Sequence, residues 1–129
     1  AMLFGAVMTV MVQSSSITTS MIVPLIGAGI ITLEQVFPFT LGANVGTTVT
    51  AMLAALATGN IAAVTVAFAH LFFNLTGLGL IYPLPPGRQI PVRMARALAD
   101  LTSKNRFYAV AYLILAFYLI PLSLIFLWK

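Results

Sequence analysis

Between Gln35 and Gly87 the chain carries no formal charge, apart from whatever His70 takes. An ordinary water-soluble domain has about a quarter of its residues charged, so this stretch excludes one. Over the whole chain 61% of residues are hydrophobic and 6% are charged. Uninterrupted apolar sequence on this scale belongs in a bilayer, and the sequence predicts an all-α integral membrane protein. There is no cysteine, hence no disulfide framework and no thiolate metal site. The first apolar run lacks the basic flank of a secretory signal.

The net charge is +4, and five of the six basic residues, Arg88, Arg93, Arg96, Lys104 and Arg106, fall in one segment. This clustering reads as the positive-inside signal of a plasma-membrane protein, not as a nucleic-acid patch. It predicts that residues 83–106 are cytoplasmic. Residue 60 is then outside, Glu34 is inside, and the chain ends outside at Lys129.

Against this apolar background, "QSSSITTSM" at residues 13–21 stands out, with one amide and six hydroxyls. The apolar arms on either side, Ala1 to Val12 and Ile17 to Ile31, are each too short to cross about 30 Å of hydrocarbon. Two short arms and a polar tip predict a re-entrant helical hairpin over residues 1–32. The simpler alternative is one helix from Leu3 to about Ile30, which Pro24, Gly27 and Gly29 disfavour. A span over 36–59 follows, with Pro38 suited to its first turn. Its middle, "LGANVGTT", predicts a discontinuous transmembrane helix, because Gly and Asn tolerate positive φ and Thr47 or Thr48 can cap a new start. Here too an alternative stands: an intact helix whose Gly42 and Gly46 form a G-x-x-x-G contact face. Residues 61–82 form a further span that "YPLPPGRQIP" ends. The basic segment 88–106 becomes an amphipathic helix in the headgroup plane, and 107–128 is a last span, irregular near Pro121.

A helix that ends inside a membrane presents free carbonyls, which suit a small cation. A helix that begins there presents free N–H groups, which suit an oxyanion. The sequence predicts this device twice: once at Gln13 with Ser14, Ser15 and Ser16, and once at Asn44 and Thr47. No lysine, arginine or carboxylate stands nearby in the sequence. Neutral hydroxyls and helix ends make a weaker cradle than arginine, as befits a carrier that must release its cargo.

The stretch "QSSSITTSMIVPLIGAGIITLEQVFPFTLGANVGTTVTAMLAALATG" resembles the second repeat of the type II sodium–phosphate cotransporters. The similarity continues through "HLFFNLTGLGLIYPLP" and "PVRMARALADLTSKNRFYAVAYL" and so covers nearly the whole chain. It implies one half of an inverted-repeat transporter that carries inorganic phosphate with sodium by alternating access. It also implies that a second repeat comes from elsewhere, either the same transporter or another chain. By this resemblance Ser14, Ser15 and Ser16 contact phosphate, and Gln13, Ser14, Asn44, Thr47 and Thr50 form the sodium region. No cofactor is implied, and no metal beyond sodium. Three departures are visible. Only one Gln-Ser-Ser-Ser is present, the family's sodium-binding aspartate has no counterpart, and Ala43 stands where serine is common.

Other readings are a passive ion channel or a non-transporting membrane subunit. A channel calls for a polar stripe along its spans, whereas the polar groups here are clustered. An intramembrane hydrolase calls for a base beside a serine. The one histidine, His70, is on a different span, so the chain does not read as an enzyme. His70 and Asn74, four residues apart on one face, are either a packing pair or a polar relay.

Overall fold

The computed structural model describes residues 1–128, and every regular element among them is a helix. Lys129, and with it the expected external end of the chain, lies outside the described residues. The chain forms two compact units, residues 1–89 and a second beginning at Ile90.

In the first unit, α1 spans Met2–Val12 and stops because Gln13 turns left-handed, with φ 56° and ψ 24°. The N–H of Gln13 donates to the Thr9 carbonyl at 2.7 Å. Ser14 follows in an extended conformation, φ −152°, and its Oγ accepts the Ile17 N–H at 3.3 Å, which starts α2 at Ser15–Ser20. A short α3, Val23–Gly27, carries Pro24 in its first turn. A single helix from Leu3 to Ile30 therefore does not form.

The next helix, α4, runs from Leu33 to Thr58. The Thr32 N–H donates to Gln35 Oε1 at 3.0 Å, one arm of a capping box that sets the start ahead of Pro38. Pro38 consequently lies in the second turn, not the first. The larger correction concerns "LGANVGTT": α4 is continuous through it, and the expected discontinuous helix is replaced by the intact alternative. The physical reason is packing. A Cβ on Gly42 would run into the backbone of Met2, and one on Gly5 would meet the Phe39 carbonyl. A Cβ on Gly46 would lie 2.6 Å from the Ala6 carbonyl oxygen. The glycines let α1 and α4 approach backbone to backbone, and this close packing offsets a propensity cost of about 1 kcal/mol each. The left-handed glycines among the described residues are Gly29 and Gly59, not these.

Met2 meets Gly42, while Ala6 and Thr9 meet Gly46, so the two helices run in the same sense. Thirteen residues of helix, about 20 Å, separate Gly46 from Leu33. The chain between Gln13 and Leu33 must therefore double back along α4, and α2 touches α4 on the way. Gly59, φ 63°, turns the chain into α5, Ile61–Ile81, whose first N–H groups at Ala62 and Ala63 are capped by Asn60 Oδ1.

Helix α6 spans Pro85–Lys104, so Pro85 and Pro86 open a helix as well as following the end of another. In the second unit, α7, Phe107–Ile114, passes through a π-helical turn, Leu115–Leu119, into α8, Ile120–Leu127. The irregularity falls just before Pro121. By length and composition, Leu33–Thr58, Ile61–Ile81 and Phe107–Leu127 can each cross a membrane, whereas Met2–Val12 and Ser15–Gly27 are shorter apolar helices. Large apolar side chains such as Ile61 and Phe73 cover the outside, an arrangement that hydrocarbon tolerates and water does not.

Candidate functional site

The break between α1 and α2 collects the polar run. Ser14 is bound on two sides: its Oγ caps α2, and its carbonyl accepts both the N–H of Thr18 at 3.1 Å and the Thr18 hydroxyl at 2.9 Å. Thr19 donates its hydroxyl to the Ser15 carbonyl at 2.7 Å. The threonines of the run thus stiffen the first turn of α2. Ser15 is half-buried and Ser16 exposed. The N–H groups of Ser15 and Ser16 have no carbonyl four residues back in their own helix, and the last carbonyls of α1 have no N–H four residues ahead. Donor and acceptor ends therefore meet here. Gln13, left-handed despite its Cβ, holds a conformation that costs about 1–2 kcal/mol and is exposed.

The second expected device is absent from α4. With the helix intact, the carbonyls before Asn44 and the N–H groups after it are turned to their own ladder. The hydroxyls follow suit, Thr47 donating to the Ala43 carbonyl at 3.1 Å and Thr50 to the Thr47 carbonyl at 2.8 Å. What α4 offers is side chains on two faces. At about 100° per residue, Thr47 and Thr50 lie with Ala43 and Gly46 on the side that packs against α1. Thr9 packs against Gly46. Four residues further along each segment come Gln13, where α1 has already ended, and Thr50, still within α4.

Asn44 is about 60° around α4 from Thr47 and lines a different space. With Phe37, Leu41, Phe73, Asn74 and Tyr82 it borders a cavity of about 190 Å³ between α4 and α5. Asn74 Nδ2 is buried there without a hydrogen-bond partner, so it does not donate to His70. His70 is exposed and borders a separate groove lined by alanines, Ala51, Ala54 and Ala67 among them. The fold therefore sets the two members of the expected relay in different surroundings. It brings Gln13, Ser14, Ser15 and Ser16 together at one break and sets Thr47 and Thr50 on the α1-facing side of α4.

One residue of this seam is not among those singled out in the sequence. Thr9 is fully buried, and its Oγ1 has no partner, a state that costs about 1–3 kcal/mol. The available signal was a lone hydroxyl in the apolar first arm, four residues before Gln13.

Residues 1–81 match the family described as Na+/Pi-cotransporter. The chain is 52% identical over 126 residues to sodium-dependent phosphate transport protein 2B of Homo sapiens, a match covering 95% of this chain and 18% of the relative. It is likewise 52% identical over 129 residues to sodium-dependent phosphate transport protein 2A of Rattus norvegicus, covering 98% of this chain and 20% of the relative. The chain thus spans about a fifth of the length of these relatives. No solved structure matches it.

Proposed function

Because the chain belongs to the Na+/Pi-cotransporter family, we propose that it forms part of a carrier that moves inorganic phosphate across a membrane together with sodium. The observation that carries this reading is the capped break at Gln13 and Ser14, set between two apolar helices too short to span. An apolar chain that interrupts its helix there, at the cost of a left-handed glutamine, does so where polar backbone is useful. In this reading residues 1–32 are a re-entrant hairpin, and Ser14, Ser15 and Ser16 present hydroxyl donors to phosphate. Sodium is held by neutral oxygens at the end of α1, near Gln13 and Ser14, with Thr47 and Thr50 contributing from α4. Asn44 stands apart from these residues, on the α5-facing side of α4. A hard cation accepts such oxygens, and sodium and phosphate bound together offset each other's charge, which is a physical basis for coupling. The remainder of the site comes from a second repeat, and transport proceeds by alternating access between the two.

The carrier sits in the plasma membrane with the basic segment around Arg93 on the cytoplasmic side. The amphipathic α6 lies along the headgroups of the bilayer. Phosphate uptake into vesicles holding the complete transporter, with sodium replaced by choline in a parallel arm, is the test. Uptake that requires sodium is expected. Uptake at the same rate in choline would return the chain to the passive-channel reading, and no uptake in either arm to that of a non-transporting subunit.

A further inference from the structure

Among the described residues three threonines are fully buried: Thr9, Thr18 and Thr48. Two of them do what threonine does in a helix and return the hydroxyl to a carbonyl of the preceding turn. Thr18 donates to the Ser14 carbonyl at 2.9 Å, and Thr48 to the Val45 carbonyl at 2.6 Å. The partly buried Thr47 and Thr50 do the same. Thr9 does not. It sits inside α1, where carbonyls of the preceding turn are within reach of a threonine hydroxyl, and yet its Oγ1 is sealed from solvent with no partner. Packing alone does not call for this residue, since valine has the same shape and no oxygen to strand.

The surroundings of Thr9 indicate what the oxygen is for. Its side chain lies against Gly46, where an added Cβ would come within 2.8 Å of the Thr9 Cβ. Its own carbonyl holds the N–H of Gln13, so Thr9 is tied directly to the left-handed residue that ends α1. Gln13 itself lies just outside α1 and is exposed. The oxygens that the sequence offers along this seam are neutral: the last carbonyls of α1, the Gln13 amide and, one turn beyond Gly46 on α4, the Thr50 hydroxyl. That set suits a hard monovalent cation.

We propose that Thr9 is a further ligand for the transported cation, its unpartnered hydroxyl oxygen being kept for sodium in the seam between α1 and α4. The inference rests on the reading of the chain as part of a sodium-coupled phosphate carrier. It adds to that reading a residue whose stability and function pull in opposite directions, because the oxygen that serves the ion is unsatisfied when the seam is closed.

The experiment compares Thr9→Val and Thr9→Ser with the unaltered protein in the complete transporter. It measures phosphate uptake against sodium at saturating phosphate, together with the melting temperature of the purified proteins. Thr9→Val keeps the shape and removes the oxygen. It should raise the half-saturating sodium concentration by about tenfold while melting at the same temperature as the parent or higher. Thr9→Ser keeps the oxygen and should keep the sodium curve within about twofold. An unchanged sodium curve in Thr9→Val would make Thr9 a packing residue and overturn the proposal. A Thr9→Val protein that melts lower or fails to fold would overturn it as well, because the hydroxyl would then have a structural partner. Absence of sodium-dependent uptake in the unaltered protein is a different result and removes the transport reading itself.

Discussion

Two segments of this chain carry the residues that interrupt helices, and only one of them does so. At "VQSSS" the helix stops, turns left-handed at Gln13 and restarts from Ser14. At "LGANVGTT", with two glycines and an asparagine, α4 continues without a break. The difference lies in what each segment does with its polar groups. Ser14 stands before a helix start and offers its Oγ to the Ile17 N–H, so the restart is stabilised locally. In α4 the hydroxyls of Thr47 and Thr48 turn back to the carbonyls of Ala43 and Val45, and the glycines are occupied by contact with α1. A glycine in an apolar helix is thus a place for another helix to come close, and a break requires a cap.

The comparison is most sharply tested at Gly42. Gly42→Ala puts a methyl group into the backbone of Met2, where no side chain can move aside. Overpacking of that kind costs about 3 kcal/mol, and the folded fraction in detergent should fall steeply on heating or dilution. Gly77→Ala in α5 meets nothing within 4 Å and should be neutral or stabilising by up to about 1 kcal/mol. Equal effects from the two changes would mean that Gly42 is present for flexibility, and would reopen the case for a break in α4.

A somewhat smaller loss is expected at the break itself. Ser15→Asp places a carboxylate on the first turn of α2, where it competes with an anion for the same donors. Phosphate uptake should fall at least tenfold while the protein reaches the membrane in normal amount. Near-normal uptake by a well-expressed variant would remove Ser15 from the phosphate cradle.

Much of this was legible in the sequence. The uncharged stretch from Gln35 to Gly87 specified the solvent, and the hydroxyl-rich run at Gln13 marked the break. The continuity of α4 was not, because Gly42 and Gly46 carry the same two readings until the partner helix is known. That partner, α1, lies some forty residues earlier, and no local pattern announces which face it will take. The separation of Asn44 from Thr47 was hidden for a related reason, since a broken helix would have gathered both at one end while an intact one sends them to different neighbours. The state of Thr9 was invisible because a hydroxyl's partner is a matter of rotamer and contact.

Capping itself distinguishes the two segments at about 1 kcal/mol. Ser14→Ala removes the acceptor for the Ile17 N–H and should lower stability by about that much. Thr47→Val removes a hydroxyl that caps nothing and merely returns to the Ala43 carbonyl, and it should leave stability within about 0.5 kcal/mol. Thermal unfolding followed by intrinsic fluorescence measures both. A larger loss at Thr47 than at Ser14 would place a helix start at the wrong one of the two.

The last comparison divides cation from anion. Thr47 and Thr50 lie on the α1-facing side of α4, along the seam where α1 ends, while Ser16 lies past the break on the first turn of α2. Removing a hydroxyl at Thr47 or Thr50 should act mainly on sodium, and removing the one at Ser16 mainly on phosphate. Linkage prevents full independence, because each ligand reports on the other's binding, so the relative size of the two shifts is the informative quantity. For Thr47→Val and Thr50→Val, half-saturating sodium at fixed phosphate should rise about three- to tenfold, with less change in the phosphate curve at saturating sodium. Ser16→Ala should show the reverse weighting. If the threonine variants shift only the phosphate curve and the serine variant only the sodium curve, then the ions occupy the opposite ends of the break. The intact α4 would then hold the anion by its side chains, and the hydroxyl-rich turn of α2 would hold the cation.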